Sequence, residues 1–209
     1  MRSVLVAALG FLNTGGLLAQ APPLVGTPRF SANSFIMARY RVGATASLFA
    51  AGRVGRGMLV AGVITNPTTD YEALVVGAGT RVRLADNARS GVILAGASAT
   101  DGASLRLYAT PAITLGDVTL NAITAGYYPL SGTNPAQLSA DPVTLSLPVV
   151  GGLRAGVTGV VTATDRRLPD YGVGPYAQLR LPIGSISMEL VARTRRVGPE
   201  LRGMFNAAL

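Results

Sequence analysis

The stretch that decides the fold is Ser104 to Thr124, SLRLYATPAITLGDVTLNAIT. Leu105, Leu107, Ala109, Pro111, Ile113 and Leu115 occupy every second position. Ser104, Arg106, Tyr108, Thr110, Ala112 and Thr114 occupy the others. After Gly116-Asp117 the alternation resumes, with Val118, Leu120 and Ala122 set against Thr119 and Asn121. Period-two alternation on both sides of a two-residue turn predicts a β-hairpin with one apolar and one polar face. In a soluble sheet the leucines would point inward. In a membrane barrel they would point at lipid, and Arg106 would point into the lumen.

Composition separates these options. Only 13% of the 209 residues are charged, against roughly 25% in typical soluble domains. Apolar residues make up 49%, and the mean hydropathy is +0.40. No uninterrupted apolar run of about 18 residues is present, which excludes a transmembrane helix in the mature chain. Hydrophobicity dispersed over alternating strands is the signature of a β-barrel.

The same texture extends along the chain in both directions. Met1-Arg2, the apolar Ser3 to Leu12 and the small residues of Ala19-Gln20-Ala21 have the pattern of an export signal over residues 1–21. From residue 22 to 209 no domain boundary interrupts a single barrel domain. Strands are expected at 34–42, 45–53, 57–65, 72–84, 90–99, 104–115, 118–128, 143–149, 153–164, 171–183, 185–195 and 202–209. A bend within RVGATA, joining the first two, would lower the count from twelve to ten or eleven. Tight turns (Gly116-Asp117, VGG, IGS) alternate with longer connections (DRRLPD, RRVGPELRG and, longest, Pro129 to Pro142). Short turns at one end and long loops at the other are the rhythm of an up-and-down barrel in an outer membrane. Tyr40, Tyr71, Tyr127, Tyr128 and Tyr171 then fall at the long-loop end, as an interfacial aromatic belt would.

In alternation, loop rhythm and tyrosine placement, the chain resembles bacterial outer-membrane β-barrel proteins as a broad class. The resemblance implies an all-β, antiparallel, up-and-down transmembrane barrel of about twelve strands (ten as the alternative) in the outer membrane of a Gram-negative bacterium. Its last strand, GMFNAAL, departs from the pattern in lacking a terminal aromatic residue.

With lipid around the apolar face, the other face lines the lumen. Arg39, Arg41, Arg53, Arg81, Arg83, Arg106, Arg154, Arg180, Arg193 and Arg195 are expected on it. Asp86, Asp101, Asp117, Asp141, Asp165, Asp170 and Glu200 are expected in turns or loops, which leaves Glu189 as the one clear lumen acid. Arg166, Arg167, Arg196 and Arg202 fall in or beside long outward loops. There they are candidates to hold lipopolysaccharide phosphates, which guanidinium groups bind bidentately.

The residue inventory limits the chemistry. The chain has no His, Cys or Lys, and all 18 basic residues are arginine. Ser-His-Asp triads, Cys-His pairs, Ser-Lys dyads and Schiff-base lysines are therefore impossible, as are ordinary zinc sites. The resemblance implies that the outer-membrane phospholipase, palmitoyltransferase and surface protease activities, each dependent on a histidine, are excluded by analogy. A two-carboxylate glycosidase would need acids converging in the lumen, and none are expected there. No cofactor is implied and no enzyme is expected. A pI near 10.8 invites nucleic acid as a partner, but the arginines are dispersed rather than clustered with stacking aromatics, so none is expected.

Two functions remain. One is a passive, porin-like pore whose arginine-lined lumen prefers anions, with outer-membrane lipid, lipopolysaccharide and small anionic solutes as its partners. The other is a non-conducting structural or assembly barrel, in the membrane or secreted. The leader reading carries its own test. Mass spectrometry of native protein is expected to find the N-terminus at Gln20 or Pro22, and an intact Met1 on folded material would reject export by this route.

Overall fold

The computed structural model describes residues 35–41, 45–165, 167–196 and 198–208. The leader, residues 1–21, lies outside the described residues. Twelve strands follow one another: β1 Phe35–Arg41, β2 Ala46–Val54, β3 Gly57–Asn66, β4 Tyr71–Ala85, β5 Ala88–Ala99 and β6 Gly102–Leu115. The second half comprises β7 Val118–Pro129, β8 Gln137–Val150, β9 Leu153–Thr164, β10 Arg167–Leu181, β11 Gly184–Arg193 and β12 Glu200–Ala208. Each strand pairs antiparallel with its sequence neighbours, and β1 pairs with β12 to close the barrel. The opening hairpin is β6–β7, with Leu115 opposite Val118 and Leu105 opposite Tyr128. RVGATA is a connection, not a bend, because β1 ends at Arg41 and β2 begins at Ala46.

Alternation sets the faces. Leu74, Val76, Leu94, Leu107, Leu145 and Leu147 are exposed on the outside, whereas Val75, Ala95, Ser104, Arg106 and Ser146 are buried on the inside. A barrel with this apolar exterior is a transmembrane one. Hydrocarbon leaves no water for unpaired backbone groups, so strands can cross it only when the sheet has no edge.

At one end every connection is a two-residue turn, at 55–56, 86–87, 116–117, 151–152 and 182–183. Gly116 and Gly151 hold φ of +58° and +54° there, the left-handed conformation that two-residue hairpins demand and that glycine adopts without strain. The opposite end carries the longer loops, including 67–70, 130–136 and 194–199.

Two expected boundaries differ by more than two residues. The loop expected over Pro129 to Pro142 is confined to 130–136, because β8 begins at Gln137, six residues earlier than its prolines and polar residues suggest. Likewise β10 begins at Arg167, taking in Leu168 to Asp170. With the long loops facing outward, a protease site inserted between Asn134 and Pro135 is expected to be cut in intact cells. The same site between Gly151 and Gly152 should be cut only after permeabilisation; immunoblotting of an epitope-tagged chain reads the difference, and the reverse pattern would invert the orientation.

Candidate functional site

The lumen is organised by one aspartate. β8 carries one extra residue against both neighbours: Ala140 and Val143 pair with Val161 and Gly159 of β9, and with Thr124 and Ala122 of β7. A bulge re-aims side chains and releases ladder positions, so a proline without an N–H is tolerated there. Asp141 and Pro142 are the bulged residues. As a result Asp141 joins the inward set, with Ser139 before it and Thr144 and Ser146 after it.

Around the barrel, β8 is separated from β1 by four strands on one side and six on the other, so the two nearly face each other. Arginines from the far wall reach across to it. Arg202 Nη1 donates to Asp141 Oδ1 at 2.6 Å. Arg39 donates to the same oxygen, and Arg41 donates to Oδ2. Arg39 also donates to the Asp141 carbonyl at 3.1 Å. Arg202 in turn holds Glu200 at 2.8 Å and lies 3.6 Å from Glu189. On β11, Arg193 bonds Asp170 at 2.8 Å and approaches Glu200 to 3.7 Å. Arg196 lies 3.6 Å from Glu200. Arg202 is only 1% exposed and Asp141 8%. The network runs from wall to wall.

Carboxylates therefore do converge in the lumen, contrary to the sequence expectation. Asp141, Asp170 and Glu200 are strand residues within it, together with Glu189. They serve as counter-ions, since every one has an arginine within 3.6 Å. Their sequence signal is parity. Gln137, Ser139 and Asp141 alternate with Leu138 and Ala140, and Glu200 and Arg202 flank Leu201.

The remaining expected site residues separate by height in the barrel. Arg106 is buried near the loop end, where it donates to the Tyr71 hydroxyl at 2.9 Å and stands 5.4 Å from the centre of the Tyr127 ring. Tyr71 and Tyr127 thus serve the interior, while Tyr40, Tyr128 and Tyr171 are exposed. At the turn end, Arg154 donates to Thr119 Oγ1, Ser146 O and Asp117 O, each at 2.9 Å. Arg53 and Arg81, with Arg56, border a cavity of about 440 Å³ there. Arg83 pairs with Asp86 at the rim at 2.6 Å, and the register sets Arg83 directly against Arg89. Arg180 follows Tyr176 and Gln178 on the same side of β10. Arg195 stands beyond the end of β11, exposed in the 194–199 loop, so it is not a wall residue.

The lipopolysaccharide candidates also divide. Arg202 is corrected outright, since a guanidinium locked to Asp141 and Glu200 inside the barrel cannot meet a headgroup. Arg196 turns to Glu200 and borders the lumen cavity. Arg167 is exposed at the start of β10, and Arg166 lies outside the described residues.

A feature the sequence did not reveal is that part of the inner wall is apolar. Ala51, Met58, Val60 and Ile93 form a buried cluster, and Val75, Ala95 and Ala97 form another. Phe49 and Tyr108 pack against both and meet edge to face, with ring centres 6.4 Å apart. Phe49 pairs with Gly62, where a Cβ would come within 2.2 Å of its ring, so only glycine lets the ring lie against β3.

No protein-family profile and no curated protein matches the sequence. Solved structures match the fold. The KdgM porin superposes with a TM-score of 0.59 at 10% identity, covering 84% of this chain and 98% of that one. The NanC porin gives 0.58 at 8% identity, covering 84% and 98%. KdgM porin in complex with disordered oligogalacturonate gives 0.60 at 10% identity, covering 84% and 99%. At such identities the likeness is one of fold, that of outer-membrane porins.

The cross-lumen network yields a stability prediction. Asp141→Asn strands buried guanidinium groups without their counter-ion, a loss on the order of 3 kcal/mol. The variant is expected to lose its compact band in heated-gel mobility assays at a clearly lower temperature than wild type, while Ser139→Ala is expected to be near neutral.

Proposed function

We propose that the protein is a passive outer-membrane pore with an anion preference set at its turn end. The observation that carries this reading is the imbalance of charge along the lumen. Towards the loop end, the wall-to-wall network matches its arginines with Asp141, Asp170, Glu189 and Glu200, so it contributes little net field. At the turn end, Arg53, Arg56 and Arg81 surround a cavity and have no carboxylate partner among the described residues. Arg89, which the register sets directly against the Asp86-paired Arg83, adds to this field, and like charges across a strand pair cost stability rather than supply it. Arginines set against a low-dielectric wall attract anions and repel cations. Their porin-like fold and the absence of His, Cys and Lys favour a conduit over an enzyme.

Guanidinium stays protonated at all physiological pH values, so the preference is expected to be flat between pH ~5 and ~9. It is expected to weaken as salt shortens the Debye length, about 10 Å at 0.1 M. In a planar bilayer under a salt gradient, the reversal potential should report anion preference. The Arg53→Gln, Arg56→Gln, Arg81→Gln triple variant should move that potential towards neutrality with the barrel still folded, because these side chains face water. Cation preference in the wild type would overturn the reading, and absence of conductance would favour the structural barrel.

A further inference from the structure

The loop-end half of the lumen holds a cavity of about 540 Å³, within the range of small-molecule sites. Its two sides differ in chemistry. Phe49, Val60, Ile64, Val75, Ile93 and Tyr108 supply one side, from β2 to β6. Arg39, Arg41, Arg193 and Arg196 border the other, with Asp141 and Asp170 among them. A water-filled conduit for sugars or simple ions has no use for an apolar inner wall, and barrel interiors are ordinarily polar. An apolar solute body laid on this wall would release water from both surfaces, at about 25 cal/mol per Å² buried.

Charge decides what the rest of the solute must be. Five arginines (Arg39, Arg41, Arg193, Arg196 and Arg202) share the network with four carboxylates (Asp141, Asp170, Glu189 and Glu200), which leaves one positive charge over. Arg196 is the loosest member. Its side chain is 46% exposed and its one ion pair among the described residues is the 3.6 Å approach to Glu200, while Arg193 and Arg202 are 4% and 1% exposed. A single added carboxylate would balance the cluster. A polyanion would have to displace carboxylates already bonded across the barrel.

We propose that this cavity binds a monoanionic organic acid with an apolar body, the hydrocarbon lying on the Phe49–Ile93–Tyr108 side and the carboxylate meeting Arg196 and Arg41. The inference rests on the pore reading for the route by which the solute enters. The site itself stands on the two walls.

The test uses the full chain in phosphatidylcholine nanodiscs, with empty nanodiscs as the blank, titrated calorimetrically with three probes. These are 4-phenylbutyrate, the uncharged 4-phenylbutanol, and gluconate, an anion without an apolar body. Phenylbutyrate is expected to bind about tenfold more tightly than either of the others, a difference of about 1.4 kcal/mol. Arg196→Gln should erase the advantage of phenylbutyrate over phenylbutanol and leave phenylbutanol unchanged. Ile93→Ser, with Phe49→Ala as a second variant should the first fail to fold, should weaken both phenyl compounds and leave gluconate unchanged. Gluconate binding as tightly as phenylbutyrate, or an Arg196→Gln variant that keeps the full preference, would overturn the inference. Bilayer conductance separates the two readings. An anion-selective channel indifferent to phenylbutyrate would retain the pore and refute the site, whereas tight phenylbutyrate binding without conductance would retain the site and refute the pore.

Discussion

Every backbone N–H and C=O that crosses hydrocarbon must find a partner within the protein, and this chain meets that requirement only by pairing its first described strand with its last. The seven-residue β1 lies antiparallel to β12 over its whole length, from Phe35 opposite Ala208 to Arg41 opposite Arg202. Closure fixes which residues face inward, because side chains alternate strictly once the register is set. It also fixes which strands look at one another across the interior. The placement of β8 opposite β1 follows from strand count and order alone.

Within that frame the interior is divided, not uniform. Strands β8 to β12, with β1, contribute the charged network and a tightly filled zone in which Thr158 and Val191 have no exposed surface. Strands β2 to β6 contribute hydrocarbon and leave space in front of it. Barrels of intermediate strand number lie between those filled by their own side chains and those wide enough to stay open. This one does some of each. The long arginine side chains occupy one half, and a cavity stays open beside Val60, Val75 and Ala95 in the other.

Much of this was legible in the sequence. Two-residue alternation and Gly-containing turns determine strand existence and face, which is why the twelve strands fall close to where the pattern of Leu105 and Arg106 repeats. The misreadings of Asp141 and Asp170 share one cause. Pro142, Pro169 and the nearby aspartates are strong breakers in most contexts, so Gln137 to Pro142 and Arg167 to Asp170 read as loop. A bulge accepts the same residues within a strand, and the alternation of Gln137, Ser139 and Asp141 with Leu138 and Ala140 is the faint local sign of it. Removing those segments from the strands removed Asp141 and Asp170 from the lumen, and with them the partners that neutralise Arg39, Arg41 and Arg193. The apolar inner wall was hidden for a different reason. On β3, both Leu59 and Val60 are apolar, one exposed and the other buried, so hydropathy alone cannot assign the faces.

The bulge at Asp141 bears also on how the barrel stays shut. Arg39 and Arg41 belong to β1, and Arg202 belongs to β12. A single carboxylate therefore grips both margins of the seam where the chain meets its own beginning. Any parting of β1 from β12 towards lipid would have to pull guanidinium groups from opposite sides of the gap off one shared anion. Asp141 acts as a rivet set in the far wall, holding the seam from within.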